Sequence, residues 1–567
     1  MRLNLNEMFR ALVCAGVVLT AAACSSSEDT PPPAPPPASG TASISEEDAS
    51  RFLNQATFGA TESDIQKLQT IGYSQWIMNQ FALPQESLLQ SVLLVEASGA
   101  EAGRNELSET FWTRAILSQD QLRQRVGFAL SQLMVASYSD GNLEAHPVAM
   151  ANYMDIMSAG AFGNFRQTLE NITYSPAMAI WLTYLQNQKA DPVREVVPDE
   201  NYAREVMQLF TIGTLQLTEN GEVKRDGVGN PLETYTNDDV TEMAKVFTGL
   251  SWAERSGFLG EPDNVRSEYL PLVMFNDQHS PEQKSFLGTT IPAGTPGDQS
   301  ISIALDTLFN HPNTAPFVSR QLIQRLVTSN PSPAYVGRVA DAFRSGSYVL
   351  PDGQVAGGGG RGDMRAVVAA VLMDDEARNS AAAAAAPDYG KLREPVIRFT
   401  QWARAFGVTS TRIDAVRQLQ DTRASNSLNQ QAYRSPSVFN FYRPGYVAPG
   451  TESAAAGLVA PELQITTAAS VTGYANFIED FIFNARGRTD FAPNYASEAA
   501  LAGDPAALVD HLNKLLASGE LSDSTRSRII SAVNAISNGS GRFSRDDLRV
   551  RVAILFVMTS SDYIVSR

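Results

Sequence analysis

The sequence predicts a mainly α protein, a multi-helix orthogonal bundle that can divide into two helical lobes and carries one or two small β-hairpins. Apolar residues recur with the 3.6-residue period of helices that pack on helices, as at Val240, Met243, Ala244 and Phe247. Alternation with period two is scarce, and its clearest run is Leu215–Val223. The apolar fraction of 43% is ordinary for a globular protein.

Residues 1–23 have the pattern of a bacterial lipoprotein signal peptide. Arg2 and Arg10 supply positive charge, Ala11–Thr20 the apolar run, and Ala21–Ala23 the small residues that a signal peptidase needs. A cysteine directly after such residues is typical of a lipoprotein, in which the thiol is acylated and becomes the new N-terminus. We therefore expect Cys24 to be lipidated and to anchor the protein in the cell envelope.

Residues 24–44 are predicted to form a lipidated, Ser/Pro-rich tether. Its proline triplets favour extended polyproline geometry and cannot build a core, so the segment is a stiff spacer. Ser25 stands where an aspartate would act as a retention signal. The expected location is therefore the outer membrane, on its periplasmic or surface face.

Residues 45–567 are predicted to form a single helical unit. Ser45 is the expected N-cap of its first helix, and Asp363 caps another helix further along. A glycine-rich stretch at 345–362 predicts a flexible surface excursion. It would separate lobes of about 45–344 and 388–567.

Composition excludes several classes of function. The net charge of −17, from 44 Lys and Arg against 61 Asp and Glu, leaves no basic stripe for nucleic acid. It also predicts membrane contact through the lipid alone. Cys14 leaves with the signal peptide and Cys24 carries the lipid, which excludes disulfides and thiolate metal sites. No nucleotide motif is present, so the cofactor is unknown and an oxygen-ligated divalent cation is left open.

A polar helix face forms the first candidate site. Asn201, Arg204, Glu205 and Gln208 fall at i, i+3, i+4 and i+7, opposite the apolar stripe of a helix over Ala203–Ile212. Two interpretations are open. The face is either solvated, with ion pairs one turn apart, or it lines a cleft that holds a polar ligand or metal.

Two further segments supply candidate acids and bases. Asp239 follows Thr236 at a helix start, where either capping or a carboxylate pair with Glu205 explains it. His279 and Lys284 share one loop, and three interpretations are open: they act as acid and base, they bind an anionic group, or the histidine is a hydrogen-bonded structural residue. The complete candidate polar site is Asn201, Arg204, Glu205, Asp239, His279 and Lys284.

An aromatic loop is the second candidate site. Within residues 436–446, aromatic residues are interleaved with proline and glycine. Such a loop serves either as a contact surface for carbohydrate or protein, or as a packed, proline-braced turn. The candidate contact residues are Phe439, Phe441, Tyr442 and Tyr446.

Motifs over nearly all of residues 48–567 resemble a large bacterial family known as domain of unknown function 1800. The motifs that carry the resemblance include Arg51–Gly59, Gly72–Trp76, Ser175–Met178, Asn201–Gly213, Thr248–Trp252, Pro436–Tyr446 and Ala460–Glu462. The resemblance implies an exported, mostly helical protein in one family-length unit, without an established activity, cofactor or catalytic set. Members are often encoded beside a second exported family that looks like a sulfatase or phosphatase relative, which is the implied protein partner.

The resemblance also carries over the six residues of the candidate polar site. This chain departs from the family pattern at Gln208, where an acidic residue is common, and at Asn440, where glycine is common. The first departure weakens any mechanism that needs a carboxylate at that position.

Two functions follow as hypotheses, and the sequence leaves open whether the protein is an enzyme. The first is a surface-anchored binding or assembly protein, motivated by the lipid anchor, the spacer and the absence of a recognisable catalytic constellation. The alternative is an extracytoplasmic hydrolase that uses a cluster of Glu205, Asp239 and His279.

Overall fold

Helices dominate the structure, and the strands are short and few. The structure is a computed structural model, and it describes residues 44–100, 102–409, 417–484 and 491–567. The predicted signal peptide, Cys24 and nearly all of the tether lie outside the described residues.

The described α-helices, numbered in chain order, follow. They are α1 (Glu46–Ala56), α2 (Glu62–Ala82), α3 (Leu88–Ala97), α4 (Arg104–Leu117), α5 (Gln121–Ser131), α6 (Gly141–Glu144), α7 (Pro147–Gly160), α8 (Phe165–Thr173), α9 (Pro176–Trp181), α10 (Asn201–Glu205), α11 (Asn237–Ala244), α12 (Val265–Tyr269), α13 (Gly297–Asn310), α14 (Thr314–Leu326), α15 (Pro333–Ser345), α16 (Met364–Met373), α17 (Asp375–Arg378), α18 (Ser380–Ala385), α19 (Pro395–Ala405), α20 (Glu452–Ala455), α21 (Ala468–Ile482), α22 (Ala496–Leu501), α23 (Pro505–Ala517), α24 (Asp523–Asn534), α25 (Arg545–Thr559) and α26 (Ser561–Ile564).

Short helices of other types and eight strands complete the described chain. A π-helix spans Val206–Thr211, and 3₁₀-helices span Lys245–Phe247, Arg417–Leu419 and Pro461–Ile465. The strands are β1 (Leu250–Ser251), β2 (Val273–Met274), β3 (Lys284–Phe286), β4 (Thr289–Ile291), β5 (Tyr348–Val349), β6 (Val355–Ala356), β7 (Lys391–Leu392) and β8 (Val565–Ser566).

The prediction of a mainly α protein with small hairpins is confirmed. Over the described residues, the strands pair only two by two, and every pair is antiparallel. The pairs β3–β4 and β5–β6 are local hairpins, whereas β1–β2 and β7–β8 join more distant segments. The predicted run Leu215–Val223 forms isolated bridges instead, with Leu217 opposite Val223.

Helix starts follow the expected capping chemistry. The Ser45 hydroxyl accepts a hydrogen bond from the Asp48 N–H at 3.0 Å, and the Asp363 carboxylate accepts one from the Arg365 N–H at 3.0 Å. Each cap satisfies one of the N–H groups that a helix leaves without a partner.

The regular helix expected over Ala203–Ile212 ends early. The α-helical hydrogen bonds stop at Glu205, and the next turn is π-helical. The Thr211 hydroxyl donates to the Val206 carbonyl oxygen at 2.5 Å, five residues back, which supports the wider turn. Such turns are frequent at functional sites because they displace side chains from the regular helical register.

One continuous apolar core runs through residues 44–567, which form a single compact unit. Helix α4 packs against α19, and α1 packs against α23. The Trp112 and Phe399 rings meet at 5.3 Å between centroids. Residues before 345 and after 387 therefore share buried surface. No helix of the described chain is both long enough and apolar enough to cross a bilayer.

The glycine-rich stretch 345–362 is tied to α15 by backbone hydrogen bonds. Gly346 ends α15 in the left-handed region, with φ of 65°, and its carbonyl oxygen accepts from the Gly359 N–H at 2.9 Å. The Gly362 N–H donates to the Phe343 carbonyl oxygen at 2.7 Å. A Cβ at Gly346 would lie 1.9 Å from the Gly360 carbonyl oxygen.

The Gly346→Ala variant should therefore unfold at a clearly lower temperature than Gly353→Ala. Both glycines have positive φ, so both variants pay about 1–2 kcal/mol of backbone strain. Only Gly346→Ala adds a clash, at about 1–3 kcal/mol more, because nothing lies within 4 Å of a Cβ at exposed Gly353. Scanning calorimetry measures the difference, and equal unfolding midpoints would contradict the close approach.

Candidate functional site

Two residues of the candidate polar site, Asn201 and Arg204, lie partly exposed on α10 and already have polar partners there. Arg204 forms an ion pair with Glu200, one turn back, at 3.0 Å. The Asn201 amide donates to the Thr183 hydroxyl at 3.4 Å. Pairs of this kind contribute little to stability because water competes for both partners.

Asp239 holds two pieces of backbone together. One carboxylate oxygen accepts from the Thr236 N–H at 2.7 Å, while the Thr236 hydroxyl caps α11 in return. The other oxygen accepts from the Leu287 N–H at 2.8 Å, in the turn between β3 and β4. Partial burial would raise the pKa of Asp239, but these hydrogen bonds hold it below its ordinary value.

His279 and Lys284 are buried and bonded to nearby polar groups. The Nδ1 atom of His279 lies 3.0 Å from the Thr248 carbonyl oxygen, so that nitrogen carries the proton in this contact, and Nε2 lies 3.3 Å from the Ser300 hydroxyl. Burial lowers the pKa of His279. The Lys284 ammonium donates to the Ser280 carbonyl oxygen at 2.8 Å, and burial lowers its pKa too.

Glu205 differs from the other five residues of the candidate polar site. Its side chain is buried, and its Oε2 atom has no hydrogen-bond partner among the described residues. Burial raises the pKa of Glu205, although the charge of Arg204 opposes the shift. The structure brings α10 and α11 into contact, but Asp239 directs its hydrogen bonds to Thr236 and Leu287.

The aromatic loop borders a cleft of about 450 Å³. Phe439 and Tyr446 line it, Tyr442 is buried, and Phe441 is half-buried. Asn440 has φ of 60°, a conformation that glycine adopts without strain and asparagine tolerates better than most residues. Besides Tyr446, the polar residues that line the cleft are Gln132, Gln208, Thr214, Gln321, Arg325 and Arg443.

Three structural elements place the polar side chains around this cleft. The π-helix Val206–Thr211 carries Gln208, and α14 carries Gln321 and Arg325 one turn apart. Gln132 follows the last residue of α5. The aromatic loop also lines the cleft, so the cleft combines part of the predicted polar face with part of the predicted contact loop.

Arg325 forms the floor of the cleft. It is 8% exposed, and its Nη1 and Nη2 atoms donate to the carbonyl oxygens of Gln321 at 3.0 Å and Gln132 at 2.9 Å. Its Nε atom has no partner among the described residues, and neither has the Oε1 atom of Gln132. Unpartnered polar atoms are costly in a protein interior, which makes this floor a candidate ligand site.

A buried charge cluster lies against this floor. It consists of Arg125, Lys391, Glu394, Tyr442 and Glu462. Arg125 and Lys391 both donate to the Arg325 carbonyl oxygen, at 2.7 and 2.8 Å. Lys391 also pairs with Glu462 at 3.2 Å, and the Gln132 amide donates to Glu394 at 2.5 Å.

The pKa values of the two glutamates in the buried charge cluster are shifted in opposite directions. Burial alone would raise the pKa of Glu394, but the charges of Lys391 and Arg125 hold it below its ordinary value. Burial raises the pKa of Glu462 more than its ion pair with Lys391 lowers it. Oε1 of Glu394 and Oε2 of Glu462 form no hydrogen bond to the described residues, while the nearby Tyr442 hydroxyl helps to hold down the pKa of Glu394.

Sequence reasoning missed Arg125, Arg325 and most of the buried charge cluster. Of its members, the sequence points only to Tyr442, through the aromatic loop, and to Glu462, through the Ala460–Glu462 motif. The available signal was Lys391–Pro395, in which three charged residues precede a helix-starting proline. For a metal, the described chain offers no grouping of three or more His, Cys, Asp or Glu side chains.

Fold and cleft together define a mainly helical protein with a cationic pocket under an aromatic loop. A family model described as "Protein of unknown function (DUF1800)" matches residues 51–565, and the chain belongs to this family. No curated protein and no solved structure matches the chain.

Asp239→Ala should lower the free energy of unfolding by about 1–2 kcal/mol, since it removes a cap and the bond to Leu287. Asp238→Ala, at an exposed neighbour, should change it by less than about 0.5 kcal/mol. Because hydrogen bonds depress the pKa of Asp239, its contribution is present above the ordinary aspartate value of about 3.9. It disappears as the pH falls through the folded-state pKa.

Denaturant titrations between pH 7 and pH 3 measure this difference. The gap between Asp239→Ala and the unchanged protein should be constant near neutrality and shrink below about pH 4. A gap that persists undiminished in acid would contradict a role for the ionised carboxylate.

Proposed function

We propose that the protein is an exported, lipid-anchored binding protein of the cell envelope, and that its cleft binds a saccharide chain. The single observation that carries this proposal is the cleft between the aromatic loop and the Gln208–Arg325 side. Its volume of about 450 Å³ falls within the roughly 300–1,000 Å³ of small-molecule sites.

The cleft offers two kinds of contact that sugars use. Phe439 and Tyr446 present aromatic rings, on which the C–H faces of a sugar ring can pack. Gln132, Gln208 and Gln321 present amides, which both donate to and accept from hydroxyl groups. A saccharide uses both kinds at once, because each ring has an apolar face and a polar rim.

The anchor and tether fit this role. A lipid on Cys24 would keep the protein at the outer membrane, and a proline-rich spacer would hold its folded part away from the bilayer. A co-encoded sulfatase- or phosphatase-like exported protein is the proposed partner, which would act on the same envelope polymers.

A hydrolase is the second candidate function, and one observation favours it. Glu205 is a buried carboxyl group with a raised pKa and an unpartnered oxygen, as expected of a general acid. Asp239 and His279 would have to exchange their present hydrogen bonds for contacts with a substrate.

Cys24→Ser should abolish incorporation of radiolabelled palmitate in a Gram-negative host, because acylation requires the thiol. Cys14→Ser is the matched control and should keep the label, since that residue leaves with the signal peptide. Label in Cys24→Ser at the level of the unchanged protein would remove the anchor from the proposal.

The detergent-solubilised full-length protein should bind one or more oligosaccharides of a panel of neutral and acidic glycans in calorimetric titrations. Phe439→Ala and Tyr446→Ala should each weaken that binding about tenfold, the equivalent of about 1.4 kcal/mol. Phe556→Ala, which removes an aromatic ring that is 41% exposed and outside the cleft, should leave the affinity unchanged.

If no glycan in the panel binds, the proposal that the cleft binds a saccharide chain is wrong. Cleavage of a glycan that ceases in Glu205→Gln would favour the hydrolase instead.

A further inference from the structure

We infer that the cleft is selective for saccharides that carry a carboxylate, that is, chains of uronic acids. This inference rests on the proposed function and names the class of ligand for the same site. Three features of the cleft support the inference: the charges around the cleft, the geometry of Arg443 and the unpartnered atoms at its floor.

The charge of the cleft is opposite to that of the chain. The protein as a whole carries −17, yet no Asp or Glu of the described chain lines the cleft, whereas Arg325 and Arg443 do. Three buried cations, Arg125, Arg325 and Lys391, face two buried carboxylates, those of Glu394 and Glu462. The charge around the floor is therefore positive by at least one unit.

Arg325 retains its charge without a contact ion pair. Its Nη1 and Nη2 atoms donate to neutral oxygens of Gln321 and Gln132, and no carboxylate of the described chain lies within ion-pair distance. A cation held by neutral acceptors in a region of low dielectric constant attracts an anion more strongly than one in water.

Arg443 supplies the exposed contact at the rim. Its guanidinium group lies over the Phe439 ring at 4.5 Å, and among the described residues it pairs with no carboxylate. Stacking limits the side chain's freedom and leaves its N–H groups available. A guanidinium group can hold a carboxylate through two parallel hydrogen bonds, which a neutral hydroxyl cannot match.

The unpartnered atoms at the floor require both an acceptor and a donor. Nε of Arg325 needs an acceptor, and Oε1 of Gln132 needs a donor, and both side chains are more than nine-tenths buried. A uronic acid offers a carboxylate and hydroxyl groups on one ring. A peptide C-terminus also offers a carboxylate and a donor, its neighbouring N–H, but it lacks the apolar ring face that packs against the aromatic residues of the cleft.

The test uses the detergent-solubilised full-length protein and uronate tetrasaccharides, each paired with its carboxyl-reduced neutral counterpart. The two members of a pair differ only in the charged group. For at least one pair, the uronate should bind about tenfold or more tightly, and its affinity should fall as salt rises from about 50 to 500 mM.

Arg443→Gln should weaken uronate binding about fivefold to tenfold and weaken binding of the reduced counterpart by a clearly smaller factor, because only the uronate loses a charged partner. Arg443 is exposed, so this variant should fold, as circular dichroism can verify. Arg528→Gln, at an exposed arginine of α24 outside the cleft, is the matched control and should not change either affinity.

The binding results distinguish a failure of the charge selectivity from a failure of the proposed saccharide site. Equal binding of both members in every pair would overturn the charge selectivity and leave the proposed saccharide site intact. Binding of no saccharide would overturn both proposals. A peptide carboxylate that displaces the uronate with equal affinity would overturn the assignment of the ligand class.

Discussion

The carbonyl oxygen of Arg325, in the last turn of α14, is the point on which the cleft depends. It accepts hydrogen bonds from both Arg125 and Lys391, which arrive from parts of the chain far apart in sequence. The end of a helix concentrates partial negative charge, so two cations are stabilised there. Lys391 then holds Glu462, and the amide of Gln132 holds Glu394. The buried charge cluster thereby fixes the end of α14 that carries Arg325, and the carbonyl oxygens of Gln321 and Gln132 hold the Arg325 side chain at the floor.

Burial of such a cluster removes its charges from water, which costs free energy. A protein with hydrophobic residues of the same size in their place would often be at least as stable. The members of the cluster offset part of that cost through their mutual ion pair and hydrogen bonds. The raised pKa of Glu462 and the lowered pKa of Glu394 show how unequal the surroundings of the two carboxylates are. Three buried cations against two buried carboxylates leave a positive surplus beside the cleft, in a protein whose net charge is −17.

Local patterns in the sequence were sufficient to predict the helical fold, the caps at Ser45 and Asp363, and the scarcity of strands. These features depend on residues a few positions apart. Phe439 and Tyr446 were likewise identified because aromatic residues in a proline-rich loop stand out. Arg125, Arg325 and Glu394 could not be identified, because about 70 to 200 positions separate neighbours in that series and only tertiary packing brings them together. Asp239 and His279 are candidates by their chemistry, and in the fold both hydrogen-bond to backbone groups, His279 also to the Ser300 hydroxyl.

The π-helical turn at Val206–Thr211 makes the cleft sensitive to chain length as well as to side-chain identity. One residue fewer in this turn would restore ordinary α-helical bonding and rotate one flank relative to the other by about 100°. Gln208 would then swing out of the cleft, even though every residue that touches a ligand were retained. Among homologues, a single-residue deletion here would therefore indicate that the cleft is lost. A comparison of the cleft-lining residues alone would not detect that loss.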